Sequence, residues 1–301
     1  MNQGPEKSQV GAESVAYDPD RLKEFIQGME NIPTLPAIAA RLLHMAHDSD
    51  VGLAEISRLM STDPALSARV LKIVNSAYFS LPRSVTSVRD AVVLLGLDSL
   101  RQVCLSVSVM GILRGSTPAV RSSTEKVWKH SLGAGLAGRA LAVRIRLKEP
   151  EEAFTGARLH DIGRVLLLEF APKETIRAAL QAEKEHTSIL EQELLELGFD
   201  HRHVGGWIAS YWKLPEQILS AVMWHHNPEA KHWKSEDEGK LVTVVALANE
   251  IANFKDLCFA KAAPDIDLMA TLRKLNIEPD ELMETMEGLE DEVEEFQKML
   301  K

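Results

Sequence analysis

Residues that can bind a divalent metal lie on several separate stretches of the chain, namely His130, His160, Asp161, His201, His225 and His226. Imidazole nitrogens and carboxylate oxygens are common ligands of divalent transition metals. Two of these residues form a His-Asp doublet and two form a His-His doublet, a combination that is uncommon by chance. The pattern indicates a site for one or two ions of Fe, Mn, Ni or Zn.

The segments that must position these residues have the apolar spacing of α-helices. Asp63-Pro64, for example, provides an N-cap and a first-turn proline in front of an amphipathic stretch. Thr187 is the predicted N-cap of a helix over residues 188–197. Alternating strand patterns between Asn-Gly turns do not occur in the sequence. The chain is therefore predicted to be all-α.

The two doublets are predicted to lie at helix ends. Neighbouring helical residues point about 100° apart, so His225 and His226 can both face one site only where a helix stops. Asn227-Pro228 follows them directly and ends the helix. The His160-Asp161 doublet is predicted to lie at the start of a helix, and this position would also point both of its side chains into the bundle.

Composition favours a soluble cytoplasmic protein. The chain has 301 residues, 45% of them hydrophobic, and a net charge of −10. The most apolar stretch, Val103 to Leu113, is too short to cross a bilayer, and the N-terminus lacks the apolar core of a secretion signal. These features predict no membrane contact, and the negative charge argues against nucleic acid as a partner.

The charge is unevenly distributed along the chain. From Glu278 to the C-terminus there are ten acids and two lysines, net −8, whereas Val51 to Arg114 carries net +3. An acidic tail of this kind is typical of a solvated helix face, and a docking surface for a basic partner is the alternative. The short helices expected between Pro36 and Ala77 could mimic a helix-turn-helix, but their charge excess is small for a DNA-binding regulator.

The predicted organisation has four parts. Residues 1–17 are polar and are predicted to be disordered. A break near Gly115 separates an N-terminal helical part, 18–115, from a helical core, 116–256. Residues 257–301 form an acidic helical extension.

Two long segments resemble a known family. The first contains DPALSARVLKIVNSA, and the second contains LHDIGRVLL, MWHH and ALANEIA, in that order. Together they resemble an HDOD protein, a bacterial signalling relative of the HD phosphohydrolases and of the HD-GYP cyclic-di-GMP phosphodiesterases. The likeness covers roughly residues 30 to 255. It implies a multi-helix HDOD fold in which an N-terminal helical subdomain packs on an HD-like helical core.

The resemblance extends to the metal ligands of the HD relatives. It matches His130 with the first HD histidine, and His160 and Asp161 with the doublet itself. His201 matches a histidine of the HD-GYP group, and His225 and His226 match the paired histidines of that group. A first ion would then lie among His130, His160, Asp161 and Asn249. A second ion would lie among Asp161, His201, His225 and His226.

Two positions depart from the pattern of active relatives. Asn249 stands where active HD enzymes have a terminal aspartate, and Arg164 stands where the HD-GYP group usually has a lysine. The GYP tripeptide is also missing. An amide oxygen is neutral and binds a hard dication more weakly than a carboxylate does. The first ion is therefore expected to bind less tightly than in an active enzyme.

Two functions remain open from the sequence. The first is a regulatory HDOD module, non-catalytic or weakly catalytic, that acts through a signalling protein partner or a ligand such as a nucleotide. The alternative is a metal-dependent phosphohydrolase that acts on a nucleotide or a cyclic dinucleotide. In the alternative, Asp161 would be the catalytic residue to test, and Arg158 and Arg164 would bind phosphate.

Overall fold

The computed structural model describes residues 16–45, 58–60, 62–76, 81, 83–110, 115–230 and 233–300. Residues 1–15 of the predicted disordered N-terminus lie outside this range, as do residues 46–57 of the predicted helix-turn-helix-like segment. Within the described residues the secondary structure is helical and contains no β-strand, which confirms the all-α prediction.

The helices follow one another in chain order as α1 (Pro19–Gly28), α2 (Ala37–Met45), α3 (Pro64–Val74), α4 (Val88–Leu95), α5 (Leu97–Met110), α6 (Pro118–Arg144), α7 (Pro150–Leu159), α8 (Ile162–Phe170), α9 (Pro172–Glu185), α10 (Ile189–Leu197), α11 (His201–Tyr211), α12 (Glu216–Trp224), α13 (Glu236–Phe254), α14 (Leu268–Leu275), α15 (Pro279–Met286) and α16 (Leu289–Leu300).

Local capping explains where many of these helices begin. The Asp63 side chain accepts a hydrogen bond from the Leu66 amide at the start of α3, as its position before a proline predicts. The predicted N-cap of α10 is wrong by one residue. Ser188, which has an extended backbone, accepts from the Leu190 amide, whereas the Thr187 hydroxyl accepts from Gln192.

Helix α6 runs through the centre of the fold and packs against α7 and α13. Its inner face carries glycines and alanines, which allow close helix contacts. A Cβ atom added at Gly138 would lie 3.1 Å from the Ala157 Cβ, and one added at Gly135 would lie 3.3 Å from the Phe154 ring. These small residues bring the backbone of α6 close to α7.

The three predicted helical parts share one apolar cluster. Val70 of α3, Leu136 of α6 and Phe296 of α16 are all buried in it. This shared cluster does not divide the parts from one another, so the boundaries proposed near residues 115 and 256 stay predictions. None of the helices in the described part of the chain combines the length and apolarity needed to cross a bilayer.

Helices α8 and α11 cross at a point where only glycine fits. A Cβ atom added at Gly163 would lie 1.9 Å from the His201 carbonyl oxygen and 2.6 Å from the Gly205 amide nitrogen, both of them backbone atoms. This approach brings His201, the first residue of α11, next to the residue that precedes α8, which is Asp161.

We predict that Gly163→Ala destabilises the protein by about 1–3 kcal/mol or more, because the added methyl group forces two backbones apart. Urea denaturation would measure the loss. Gly28→Ala is the matched control, since no atom lies within 4 Å of its added Cβ, and it should change stability by about 1 kcal/mol or less. Equal effects of the two substitutions would contradict the role assigned to this crossing.

Candidate metal centre

The structure brings the seven predicted metal-site residues together in one buried group, here called the His/Asp cluster: His130, His160, Asp161, His201, His225, His226 and Asn249. His130 and Asn249 project from the middle of α6 and α13, whereas the other members lie at helix ends, as predicted for the doublets. Exposure ranges from 0% for His130 to 6% for His226. The whole cluster is therefore enclosed by protein.

One half of the cluster consists of the Asp161 Oδ1 atom and three imidazole Nε2 atoms. Oδ1 lies 3.3 Å from His201 Nε2 and 3.8 Å from His225 Nε2. His201 Nε2 lies 3.4 Å from His225 Nε2 and 3.1 Å from His226 Nε2. A tetrahedral ion bound at 2.0–2.2 Å holds its ligands about 3.3–3.6 Å apart. The spacing of this half, here called the His-rich half, matches that requirement.

The outer nitrogen of each of these histidines faces an acceptor. His201 Nδ1 is 2.6 Å from Glu193 Oε2, His225 Nδ1 is 3.0 Å from the Val222 carbonyl oxygen, and His226 Nδ1 is 2.7 Å from Asp265 Oδ2. Such outer contacts fix the tautomer of a metal-binding histidine. The Glu193 carboxylate and the Val222 carbonyl hold the protons of His201 and His225 on Nδ1, so the Nε2 atoms of these two rings present lone pairs to the centre. His226 Nδ1 is close to Asp265 but forms no hydrogen bond.

An unpaired acceptor lies in the His-rich half. The Asp161 Oδ1 atom has no hydrogen-bond partner among the described residues. Arg164 Nη2 contacts the ring nitrogens of His201 only at 3.5 Å, the limit of a hydrogen bond. Buried acceptors without a partner are costly, and a cation removes that cost. The residues present thus fit a divalent metal.

In the other half, here called the His130 half, the carboxylate oxygen is already paired. The Asp161 Oδ2 atom accepts a 2.7 Å bond from Arg164 Nη1. His130 Nε2 is 3.0 Å from Asn249 Oδ1 and 3.2 Å from His160 Nε2. Since His130 Nδ1 has no partner, a proton on Nε2 can be donated to the Asn249 oxygen. The charge of the Asp161 oxygen in this half is therefore balanced by a side chain.

Burial sets the protonation states of the cluster. It lowers the pKa of His130 to about 3 and also lowers the pKa values of His160 and His225. These imidazoles are therefore neutral near pH 7, the form that binds a metal. Burial alone would raise the pKa of the Asp161 carboxyl, but the Arg164 guanidinium holds that pKa well below its usual value.

Three acidic residues near the cluster were not predicted from the sequence. Glu193 and Asp265 contact His201 and His226, and the carboxyl of Glu250 accepts from the Asn249 amide at 3.3 Å. Glu193 had a detectable signal, since it lies within the apolar stripe of α10, where an acid is out of place. Asp265 lies in the segment between α13 and α14 and had none.

The two predicted phosphate-binding arginines have different surroundings. Arg164 lies within the cluster and also approaches Glu193 at 3.7 Å. Arg158 is 1% exposed, donates from Nη1 to the Trp128 carbonyl oxygen at 2.7 Å, and lies over the Trp128 ring. Phosphate binding by either residue stays a prediction.

The fold and the site together define the class of this protein, an all-helical domain that encloses a buried group of histidines and one aspartate. A family model for the HDOD domain matches residues 32–228, and the chain belongs to the HDOD family. A solved HDOD domain protein of unknown function from Geobacter sulfurreducens is 30% identical to it, with a TM-score of 0.71 and 93% of each chain covered.

Two further proteins are similar to this chain. A solved protein from Shewanella amazonensis SB2B, provisionally named a phosphohydrolase, is 25% identical, with a TM-score of 0.69 over 94% of this chain and 98% of its own. An uncharacterised protein of Treponema pallidum (strain Nichols) is 27% identical over 232 residues, which is 76% of this chain. The chain spans 43% of the length of that relative.

Three buried histidines, His130, His160 and His225, predict a stability that depends on pH. Their folded-state pKa values lie below the unfolded value of about 6.5, so the unfolded chain binds more protons below that pH. The stabilisation present above about pH 6.5 is therefore lost as the pH falls. For protein held in a chelator, the free energy of unfolding should drop between about pH 7 and pH 5, by on the order of 1 kcal/mol per pH unit for each such histidine. Urea denaturation at several pH values would measure this.

The control for this pH dependence compares two histidines. His130→Asn removes a buried titrating group and should flatten the slope, whereas His186→Asn removes an exposed one and should leave it unchanged. Position 186 has a left-handed backbone, which asparagine tolerates. If His130→Asn leaves the pH dependence of the free energy of unfolding unchanged, protonation of this buried histidine does not cause it.

Proposed function

We propose that this protein is a non-catalytic HDOD signalling module whose His-rich half binds a single divalent ion. The observation that supports this most directly is the meeting of the unpaired Asp161 Oδ1 atom with three imidazole Nε2 atoms. Three imidazoles with one carboxylate suit Zn, Fe, Mn or Ni. A bound divalent ion supplies Lewis acidity, and it also adds its binding energy to folding.

The ligands of this site belong to three different parts of the chain. Asp161 precedes α8, His201 begins α11, and the His-His doublet follows α12. Glu193 and the Val222 carbonyl accept from the outer nitrogens of His201 and His225. The chain thus fixes the orientation and tautomer of these two rings before any ion arrives, and the ion in turn joins helix ends that are otherwise connected by loops.

The His130 half is proposed to bind no second ion. Arg164 already donates at 2.7 Å to the Asp161 oxygen that faces this half, whereas the oxygen that faces the His-rich half has no hydrogen-bond partner. Asn249 offers a neutral oxygen that His130 already contacts. A second ion would have to displace a charge-assisted hydrogen bond and would meet no extra carboxylate in return.

Enclosure of the cluster favours a binding function over hydrolysis. His130, His160, His201 and His225 are each 0% exposed, so a phosphate ester has no open path to Asp161 in this conformation. Signalling would then proceed through contacts on the outer surface of the domain. The provisional name of the Shewanella amazonensis relative, a phosphohydrolase, keeps hydrolysis of a phosphate ester as the alternative.

We predict that the protein, purified from cells grown with added Zn, Mn, Fe and Ni, contains about one ion per chain. Elemental mass spectrometry would measure this metal content. Removal of that ion by a chelator should lower the melting temperature by roughly 10 °C or more, because structural metal sites contribute strongly to folding. His225→Ala should abolish both the bound ion and the chelator effect, whereas the exposed control His186→Ala should keep both.

Turnover separates this proposal from the alternative. Metal-loaded protein should hydrolyse neither a generic phosphodiester nor cyclic dinucleotides. Hydrolysis that Asp161→Ala abolishes would instead establish a phosphohydrolase. A metal content near zero after supplementation with every candidate ion would reject the metal site itself.

The single-ion stoichiometry makes its own prediction. Arg164→Met combined with Asn249→Asp removes the guanidinium and restores a carboxylate, and this double variant should bind about two ions. The control is Arg164→Lys combined with Asn249→Asp, which keeps the positive charge and should stay near one ion. Metal content and circular dichroism would be measured on both. Two ions in the unsubstituted protein would contradict the role of Arg164.

A further inference from the structure

A groove with apolar walls lies beside the C-terminal extension, at the end of α13. Here it is called the C-terminal groove, and its apolar walls are formed by Ile251, Phe254, Leu268, Leu282, Met283 and Met286. The cavity has a volume of about 460 Å³. Residues 255–267, here called the strap, connect α13 to α14 and form another part of its wall.

Large apolar side chains at this groove are left open to solvent. Phe254 is 75% exposed, Met283 is 60% exposed and Leu268 is 41% exposed. A concentration of such residues on one surface marks an interaction site more often than a single exposed leucine does. Methionines in such a surface adapt to a variety of apolar partners because their side chains are flexible.

Two acidic residues, here called the acidic rim, lie beside the groove at the two ends of α15. Asp280 is three positions before Met283 and Glu287 is four positions after it, so both share the helical face of this groove residue. The bases around the groove are largely engaged, since Lys261 pairs with Asp256 and Lys255 pairs with Glu290. Among the described residues, Asp280 and Glu287 on the flanks of α15 have no ion-pair partner. A partner with positive charge beside its apolar face would therefore be attracted to this groove.

We propose that the C-terminal groove binds a basic amphipathic helix of a partner protein. The proposal deepens the proposed signalling function, because it names the surface and the chemistry of the contact. An apolar stripe at positions i, i+3, i+4 and i+7 would enter the groove beside Phe254 and Met283, while lysines and arginines would face the acidic rim. The same negative charge disfavours anionic membranes and nucleic acid as occupants.

A designed peptide provides the test. The probe is a fluorescein-labelled helix with leucine at the stripe positions and lysine elsewhere, titrated with the full metal-loaded chain and followed by anisotropy. The matched peptide replaces every lysine with glutamate. The lysine peptide should bind at least tenfold more tightly than the glutamate peptide, and its affinity should fall as salt concentration rises.

Substitutions in the protein locate the binding surface. Phe254→Glu and Met283→Glu should each weaken binding of the lysine peptide at least tenfold. Leu180→Glu is the matched control, because Leu180 is 62% exposed on α9 and lies outside the groove lining, and it should leave affinity unchanged. Both groove positions are open to solvent, so the substitutions should not impair folding, which circular dichroism would verify.

Three results would overturn this proposal. Equal binding of both peptides would exclude charge complementarity, and equal loss in the Leu180 variant would exclude the groove. A dimer in light scattering that dissociates upon Phe254→Glu would show that the groove binds a second copy of the chain. Metal content is measured independently of all three, so failure of the groove and failure of the metal site can be told apart.

Discussion

A single buried carboxylate constrains the rest of this structure. Asp161 is enclosed by helix ends, and an ionised carboxylate without water must be balanced by positive charge or by hydrogen bonds. Its Oδ2 atom is balanced by Arg164, while its Oδ1 atom lies among imidazole nitrogens and has no hydrogen-bond partner. The close crossing at Gly163 brings α11, and with it His201, to this carboxylate.

Local sequence signals were sufficient for the helical class and for most helix starts, because caps and apolar spacing act within a few residues. The one-residue error at the start of α10 has the same origin, since Thr187 and Ser188 both carry a hydroxyl and only the backbone conformation selects between them. The His-Asp and His-His doublets could be placed at helix ends for the same local reason. Their meeting with His130 depends on how the helices pack, and the family resemblance provided that expectation.

The parts that the sequence could not provide are contacts between distant segments. Nothing in the sequence shows that Glu193 holds His201 or that the Asp265 carboxylate reaches His226, because neither pair is close along the chain. Arg164 is a further example. Its suggested phosphate binding stays a prediction, and only the fold shows that its guanidinium contacts the same aspartate that a metal would use. The choice between one ion and two therefore depends on residue type and also on the contacts that the fold gives each residue.

The strap connects the two proposed sites physically. Its Asp265 carboxylate lies against His226 in the His/Asp cluster, while the neighbouring residues Pro264 and Ile266 line the C-terminal groove. A partner helix in the groove would contact the strap from outside, and an ion in the cluster would hold His226 from inside. Two ligands that act on one segment are coupled whenever that segment has more than one position, and the coupling is equal in both directions. A domain that has enclosed its cluster can in this way use metal binding to influence a protein contact without any hydrolysis.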